Sequence, residues 1–236
     1  MMDYKIYLIK YMEKSNRILN TIKEMFPNAG CELNYNNMFE LLIAVCLSAQ
    51  TTDKRVNIVT KTLFGKYPTC FLLSEANYND VYEIIKSLGL AKNKTNNIIE
   101  LSKCLVNNYN GIVPNVREEL EKLPGVGRKT ANVVLMEGFK IPAIAVDTHV
   151  SRVSNRLGLS NSDNVLNIEK DLMNTFDSSV WYDVHHGLLF FGRYFCLAKN
   201  PKCNECKLID ICTKKWQKNL QRIYIIFNGG LFYYVS

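Results

Sequence analysis

The sequence predicts an all-α fold, and three observations lead to that prediction. Apolar residues recur at helical spacing along most of the chain. Alternation of the strand type is missing from residue 13 to residue 215. Most of the helical patterns stop at proline, glycine or asparagine, which are common helix terminators. The 236 residues are enough for one large core or two moderate ones.

The individual helices follow from the spacing of apolar residues and from their stop signals. Ile18 and Ile22 mark one face of a helix that Pro27 ends. The stretch 36–50 is apolar nearly all round, which indicates a buried helix. Further helices are predicted at 77–89, 93–111, from about 128, after 147, around 165–176 and around 179–195.

The C-terminal tail has a different pattern from the helical body. Residues 223–236 contain two β-branched or aromatic runs around Asn228, Gly229 and Gly230. This pattern is a β-hairpin signal. The alternative interpretation is a poorly ordered apolar tail, so the sequence leaves the structure of 216–236 open.

Composition and charge narrow the class of protein. Hydrophobic residues make up 47% and charged residues 22%, and the net charge is +7. Such a balance is ordinary for a globular protein and suits an acidic partner such as nucleic acid, although charge alone is weak evidence. The sequence has no signal-peptide pattern and no run long enough to span a membrane. We therefore expect a cytoplasmic protein, nucleoid-associated if it is bacterial, with no membrane contact.

The eight cysteines fall into two groups, and disulfides are rare in the cytosol. Four lie scattered among apolar neighbours and are expected to be small core residues: Cys31, Cys46, Cys70 and Cys104. The other four lie within 17 residues: Cys196, Cys203, Cys206 and Cys212. Four thiolates suit tetrahedral zinc or an iron–sulfur cluster, and spacing alone does not separate these two.

A glycine turn interrupts the helices at "LPGVGRKTANVV", residues 123–134. Gly125 and Gly127 allow a tight turn and close approach of another backbone. The turn leads directly into a helix, whose first N–H groups and positive dipole end favour an anion such as a DNA phosphate. Lys129 stands in the first turn of that helix, where it either contacts phosphate or acts as a nucleophilic amine.

Asp147 directly precedes another predicted helix, within "AIAVDTHVSRV". It is expected to cap that helix. A carboxylate at a helix N-terminus is also able to accept the proton of a lysine and to stabilise positive charge on a sugar ring. The histidines His149, His185 and His186 are interpreted as structural.

These motifs together resemble the endonuclease III family over about residues 14–215. The resemblance rests on the helix-hairpin-helix motif, on the aspartate 18 residues after Lys129, and on the C-x6-C-x2-C-x5-C spacing. It implies a bifunctional DNA glycosylase and abasic-site lyase of base excision repair that removes oxidised pyrimidines. Lys129 would be the nucleophile and Asp147 its partner. Cys196, Cys203, Cys206 and Cys212 would hold a [4Fe–4S] cluster.

The resemblance also implies how the chain meets its partner, double-stranded DNA with damaged bases or abasic sites. Gln50 and Leu90 would fill the gap that an everted nucleotide leaves in the duplex. Asp53 is expected to cap a helix, with lining of the pocket as the alternative. Lys92 and Lys94 are expected to lie next to the DNA backbone if Leu90 inserts. The other predicted DNA-binding residues are Gly125, Val126, Gly127, Arg128, Lys199 and Lys202.

The implied architecture is two helical domains with the DNA-facing pocket between them, in a monomer. A six-helix domain with the helix-hairpin-helix motif would span 31–141. Residues 1–30 and 142–215 would form the iron–sulfur cluster domain, and 216–236 a tail of unknown structure.

Two alternatives remain open. Monofunctional glycosylases of the same superfamily share the hairpin and the cysteine spacing, but they lack a lysine at the position of Lys129. They also carry a further C-terminal domain, for which the 24 residues after Cys212 are too few. A non-catalytic protein that uses the hairpin only to clamp phosphate is the other alternative.

Overall fold

The computed structural model describes residues 2–213, with side chains from residue 9 onward. All regular secondary structure in this range is helical, which confirms the all-α prediction. The tail 216–236 and its predicted hairpin lie outside the described residues. No helix within residues 2–213 is both long and apolar enough to cross a membrane.

Eleven α-helices and three short helical turns make up this range. The turns are 3₁₀-helical at Ser178–Val180 and Cys203–Glu205 and π-helical at Phe191–Phe195. The helices are α1 (Met2–Met25), α2 (Met38–Leu47), α3 (Asp53–Lys66), α4 (Cys70–Ser74), α5 (Tyr78–Ile85), α6 (Ala91–Tyr109), α7 (Arg117–Leu120), α8 (Arg128–Glu137), α9 (Thr148–Leu157), α10 (Val165–Thr175) and α11 (Trp181–Phe190).

Several helix ends differ from the predicted ones for local reasons. Helix α2 ends at Leu47 rather than at Gln50, because Gln50 adopts a left-handed φ of 54° that no α-helix continues. Helix α5 ends at Ile85, before the predicted stop at Gly89. The N-cap of α3 is Thr52, so Asp53 is its first helical residue and not its cap.

The apolar side chains pack into two hydrophobic clusters. The first surrounds α2, which is buried nearly all round as predicted, with Leu41, Leu42 and Leu47 fully enclosed. The second joins α1 to α9 and α11 and includes Ile18 and Phe191. Burial of apolar surface on this scale is the main force that holds such helices together.

An extended segment between α8 and α9 runs along both clusters. Ala145 packs in the first cluster, whereas Ile144 and Val146 pack in the second. Successive side chains of extended backbone point in opposite directions, which explains the alternation. The side-chain amide of Asn132 donates to the Ile144 carbonyl at 2.9 Å and ties this segment to α8. The segment thereby fixes where Asp147 emerges.

Candidate active site

The glycine turn connects α7 to α8 as a compact hairpin. Gly125 has a φ of 78°, a left-handed conformation that side chains rarely adopt. A Cβ atom at Gly125 would lie 2.8 Å from Nδ2 of Asn97, so only glycine fits there. The N–H of Val126 donates to the Leu123 carbonyl at 3.0 Å, and both side chains are buried.

The start of α8 has the features of an anion site. Gly127 is its N-cap and has no side chain to accept a hydrogen bond from the first turn. The N–H groups of that turn therefore point out of the helix at its positive dipole end. This arrangement agrees with the phosphate contact predicted for Gly125 and Gly127, which stays a prediction.

Two other predicted DNA-binding side chains in the hairpin are occupied within the protein. The guanidinium of Arg128 donates from Nε and Nη2 to the Glu169 carboxylate at 2.9 and 2.8 Å. This bond raises the pKa of Arg128. The side chain of Val126 is buried. The bonds from Nε and Nη2 of Arg128 link α8 to α10, and the DNA contacts predicted for Arg128 and Val126 stay predictions.

Asp147 is the N-cap of α9, as the sequence predicts. Its Oδ1 accepts from the N–H groups of His149 and Val150, both at 2.8 Å. Two such bonds fix the orientation of the carboxylate. Both of them use Oδ1.

Lys129 and Asp147 line the same cavity, which we call the inner pocket. Its volume is about 60 Å³, and it lies where the starts of α8 and α9 meet. Lys129 is exposed and Asp147 is half-buried. The side chains that carry the predicted chemistry are therefore directed into one space. Other residues along its wall are Ser48, Asp53, Val133, Glu137, His185 and Arg193.

A buried polar group on this wall was missed by the sequence analysis. Nε2 of His186 forms a short hydrogen bond with Oε1 of Glu137, and both side chains are almost fully buried. The ring of Tyr182 lies 4.5 Å from that of His186. Burial, followed by the charge of Glu137, raises the pKa of Tyr182 to about 12. The sequence signal that could have revealed this group is Glu137, a polar residue at the end of an apolar helix.

His185 is buried beside this group, as predicted for a core histidine. Its ring lies 4.8 Å from that of His186. Burial lowers the pKa of His185 well below its usual value, and the charges of His186 and Lys129 lower it further. The Nδ1 atoms of both rings have no hydrogen-bond partner among residues 2–213. Both histidines thus belong to the core and to the wall of the inner pocket.

The two predicted gap-filling residues occupy strained backbone positions. Gln50 and Leu90 have left-handed φ values of 54° and 60°, which are uncommon for residues other than glycine. Leu90 is 55% exposed although it is a large apolar residue. A Cβ atom at Gly89 would lie 3.4 Å from the Gln50 carbonyl oxygen, so the two loops adjoin.

Lys94 differs from its predicted position. It is buried, and its Nζ donates to the Ala49 carbonyl at 2.7 Å and to Oγ1 of Thr51 at 3.0 Å. Burial lowers its pKa. Lys94 therefore braces the Gln50 loop from below and does not lie next to DNA backbone.

A larger cavity adjoins the inner pocket, and we call it the outer cleft. Its volume is about 1030 Å³, and its walls include Gln50, His149 and Tyr194. Arg193, which the sequence analysis missed, lies on the wall of both cavities and donates to Oδ2 of Asp53 at 2.8 Å. Its position depends on the π-helical turn, a feature that apolar spacing does not reveal.

Two of the four C-terminal cysteines, Cys196 and Cys212, contact Arg156 of α9. Nη1 of Arg156 donates to Sγ of Cys196 at 3.3 Å, and Sγ of Cys212 donates to the Arg156 carbonyl at 3.1 Å. Burial raises the pKa of Cys206, and the neighbouring Cys196 and Cys203 raise it further. Among residues 2–213, no three potential ligands converge closely enough to hold a single metal ion.

The loop between the first two of these cysteines carries both predicted phosphate-binding lysines. Lys199 and Lys202 are exposed. Nζ of Lys202 lies 6.0 Å from the centre of the Phe195 ring. Both ammonium groups are available to an external anion, so their predicted role stays open.

Comparison with known proteins assigns the family. Residues 43–178 match the HhH-GPD superfamily of base excision DNA repair proteins. The chain is 53% identical over 197 residues to endonuclease III of Bacillus subtilis, covering 83% of this chain and 90% of that protein. It is 44% identical over 206 residues to endonuclease III of Escherichia coli K12, covering 86% and 98%. The chain belongs to the endonuclease III family.

Solved structures agree with that assignment. A trapped endonuclease III–DNA covalent intermediate superimposes with a TM-score of 0.84 at 49% identity, covering 87% of this chain and 97% of that one. A thermostable thymine-DNA glycosylase has a TM-score of 0.78 at 24% identity, covering 86% and 97%, and shares the fold. As a member of the endonuclease III family, the chain is a DNA glycosylase and abasic-site lyase.

Proposed function

We propose that the chain excises oxidised pyrimidines from double-stranded DNA through a Schiff base at Lys129 and then cuts the strand. The observation that carries the proposal is that Lys129 and Asp147 line one small pocket, each at the start of a helix. A non-catalytic phosphate clamp would not need a carboxylate opposite the lysine. A monofunctional glycosylase would not need the lysine.

The proposed reaction begins when the neutral amine of Lys129 attacks C1′ of an everted nucleotide. The bond from C1′ to the base breaks, and the base leaves with the electron pair. The Asp147 carboxylate stabilises positive charge near C1′ while the base departs, and it then takes the proton that the lysine nitrogen releases. Ring opening gives an iminium ion between Lys129 and the sugar. Loss of a proton from C2′ then expels the 3′ phosphate by β-elimination.

Asp147 is well placed for this role because its own geometry is fixed. Its Oδ1 is held by two backbone N–H groups, so the side chain needs little reorganisation when charge develops nearby. The helix cap and the catalytic carboxylate are thus compatible roles of one residue.

The proposed DNA contacts surround this pocket. Backbone N–H groups at Gly125 and Gly127 would bind one phosphate without reading sequence. Gln50 and Leu90 would fill the gap in the duplex, which their exposure and adjoining loops support. Lys199 and Lys202 would add phosphate contacts from the cysteine loop. All these groups belong to one chain, so we propose that a monomer is sufficient.

We propose that Cys196, Cys203, Cys206 and Cys212 hold a [4Fe–4S] cluster. The proposal is supported by the C-x6-C-x2-C-x5-C spacing, which matches the cluster loop of the endonuclease III family, and by the similarity of the chain to members of that family. When bound, the group would order the C-terminal loop. The thiols and the Arg156 contacts fit this donor set.

The division into domains at 31–141 and at 1–30 with 142–215 is part of the same proposal. It is supported by the two hydrophobic clusters, which meet along the segment before Asp147. The inner pocket would then lie between the domains, because Lys129 is on α8, whose apolar residues belong to the first cluster, and Asp147 begins a helix of the second.

Borohydride trapping tests the catalytic assignment. Wild-type protein is incubated with a duplex containing thymine glycol and reduced with borohydride, which fixes a Schiff base as a covalent adduct. We expect Lys129→Ala to give no adduct. Lys103→Ala is the matched control, because it removes an exposed helical lysine paired with Glu100. An adduct at the wild-type rate in Lys129→Ala would overturn the proposal.

The cluster is tested independently of activity. Purified protein should be brown, with broad visible absorption near 400 nm and about four irons per chain. Cys203→Ser should bleach the absorption and lower the iron content, whereas Cys104→Ser should change neither. Colourless protein with stoichiometric zinc would refute the cluster.

A further inference from the structure

The inner pocket and the outer cleft are separated by a small group of charged side chains. Glu32, Asp53 and Arg193 line both cavities and so form the boundary between them. Lys129 lies on the inner side of this boundary and Gln50 on the outer side. Any everted nucleotide that reaches Lys129 from the cleft must therefore pass or contact this group.

The boundary holds a guanidinium in a fixed orientation. Nη1 of Arg193 donates to Oδ2 of Asp53 at 2.8 Å and also donates to Oε2 of Glu32. The hydroxyl of Tyr194 donates to Glu32 as well, at 3.0 and 3.1 Å. Burial disfavours the charge on Arg193, but the hydrogen bond and charge of Asp53 outweigh it and raise the pKa of Arg193.

The hydrogen-bonding capacity of Arg193 exceeds what the two carboxylates use. Both carboxylate bonds come from Nη1, whereas a guanidinium has five N–H donors on three nitrogens. The N–H groups of Nε and Nη2 have no carboxylate partner in residues 2–213. The arginine side chain is 28% exposed and lines both cavities, so it is open to a molecule that occupies them.

The inner pocket is much smaller than the outer cleft, about 60 Å³ against about 1030 Å³. A nucleotide whose C1′ carbon reaches Lys129 would therefore place part of its bulk at the boundary and toward the outer cleft. Of the three boundary side chains, Arg193 is the one that donates hydrogen bonds, and pyrimidine carbonyl oxygens are acceptors.

We propose that Arg193 binds a carbonyl oxygen of the everted pyrimidine, while Glu32 and Asp53 hold its guanidinium in place. This inference rests on the proposed function and adds the residue that recognises the damaged base. When the bond to C1′ breaks, the pyrimidine leaves with the electron pair and its negative charge spreads onto its carbonyl oxygens. The guanidinium stabilises that anion through a charge-assisted hydrogen bond, so Arg193 lowers the barrier to base release.

A substrate without a base distinguishes recognition of the base by Arg193 from a general role of Arg193 in shaping the pocket. A preformed abasic site has no carbonyl for Arg193 to bind, yet it still forms the Schiff base at Lys129. Single-turnover rates are measured for base release from thymine glycol DNA and for cutting at an abasic site. The variants are Arg193→Gln and Arg193→Lys. Arg17→Gln is the matched control, because Arg17 pairs with Asp210 on the surface and lines neither cavity.

We expect Arg193→Gln to slow base release by about 100-fold or more, which is typical of losing one preorganised donor to a developing anion. Arg193→Lys keeps the charge and the pairing with the two acids but loses the planar fork, so its loss should be about 10-fold. Cutting at the abasic site should stay within about threefold of wild type for both variants. Arg17→Gln should match wild type on both substrates.

Two results would overturn the inference. In the first, both activities fall in parallel in folded Arg193→Lys, which would assign Arg193 to the shape of the pocket. In the second, base release is unaffected in Arg193→Gln. Circular dichroism and thermal unfolding identify a misfolded variant, and Arg193→Lys carries the test in that case. Failure of the proposed function itself looks different, because wild-type protein would then form no borohydride adduct.

Discussion

Replacing His185 with glutamine should make the protein less sensitive to acid. His185 is 3% exposed, and burial, with the charges of His186 and Lys129, lowers its pKa well below the usual value of 6.5. The folded protein therefore keeps the ring neutral at a pH where the unfolded chain takes up a proton. A group with a depressed folded pKa contributes full stability above its unfolded pKa, and this contribution is lost as the pH falls.

The size of the effect follows from proton linkage. With an unfolded pKa of about 6.5, His185 lowers the free energy of unfolding by about 2 kcal/mol between pH 7.5 and pH 5.0. The slope approaches about 1.4 kcal/mol per pH unit at the acid end. Carboxylates with lowered pKa values, such as those of Asp177 and Asp210, contribute mainly below about pH 5. The window from pH 5.0 to 7.5 therefore avoids these carboxylates, and the comparison of His185→Gln with wild type isolates His185 from the other two histidines.

Urea unfolding at half-unit steps of pH measures this slope. His185→Gln is compared with wild type and with Val153→Ala, which destabilises the same region but keeps every histidine. We expect the slope of Val153→Ala to match wild type and that of His185→Gln to be shallower by about 1 kcal/mol per unit near pH 5. Equal slopes for all three proteins would refute the reasoning, because they would mean that His185 takes up its proton while the protein is folded.

Three further predictions concern the strained loops and the hairpin. Leu90→Gly should raise the free energy of unfolding by up to about 1 kcal/mol, because it relieves a left-handed φ. The affinity of this variant for lesion DNA, measured by fluorescence anisotropy, should fall. A loss of stability would contradict the prediction. Lys94→Met should lower the free energy of unfolding by about 2 kcal/mol, because the Ala49 carbonyl loses its donor. Faster hydrogen exchange confined to residues 48–52 would show that the destabilisation is in the Gln50 loop. Arg128→Gln should lower the free energy of unfolding by about 2 kcal/mol, because the buried Glu169 carboxylate loses its partner. Adding Glu169→Gln should recover most of that loss, and additive losses would disprove the coupling.

The sequence predicted those parts of the candidate site that depend on local structure. Asp147 was expected to cap α9 because an aspartate before an amphipathic helix has a local reason to do so. Lys129 was expected at the start of α8 because the glycine turn fixes where that helix begins. Both predictions use residues that are neighbours along the chain, where spacing and propensity are informative.

The parts that were missed depend on contacts between distant residues. Arg193 meets Asp53 across 140 positions, and His186 meets Glu137 across 49. No periodicity encodes such pairs, since each residue type is ordinary in its own helix. Lys94 is the clearest error: a lysine among asparagines and threonines resembles a surface residue. It is buried because its ammonium group donates to the Ala49 carbonyl in the Gln50 loop.

The strain at Gln50 and Leu90 has a mechanical consequence for DNA binding. A left-handed φ at a residue other than glycine persists only where surrounding contacts hold it. Here the buried ammonium of Lys94, itself on the helix that Leu90 begins, bonds the Gln50 loop on both sides of that residue. The Lys94 side chain therefore links the two loops. If Gln50 and Leu90 fill a gap in the duplex, as proposed, they do so with backbones already fixed, and little conformational entropy is lost on insertion.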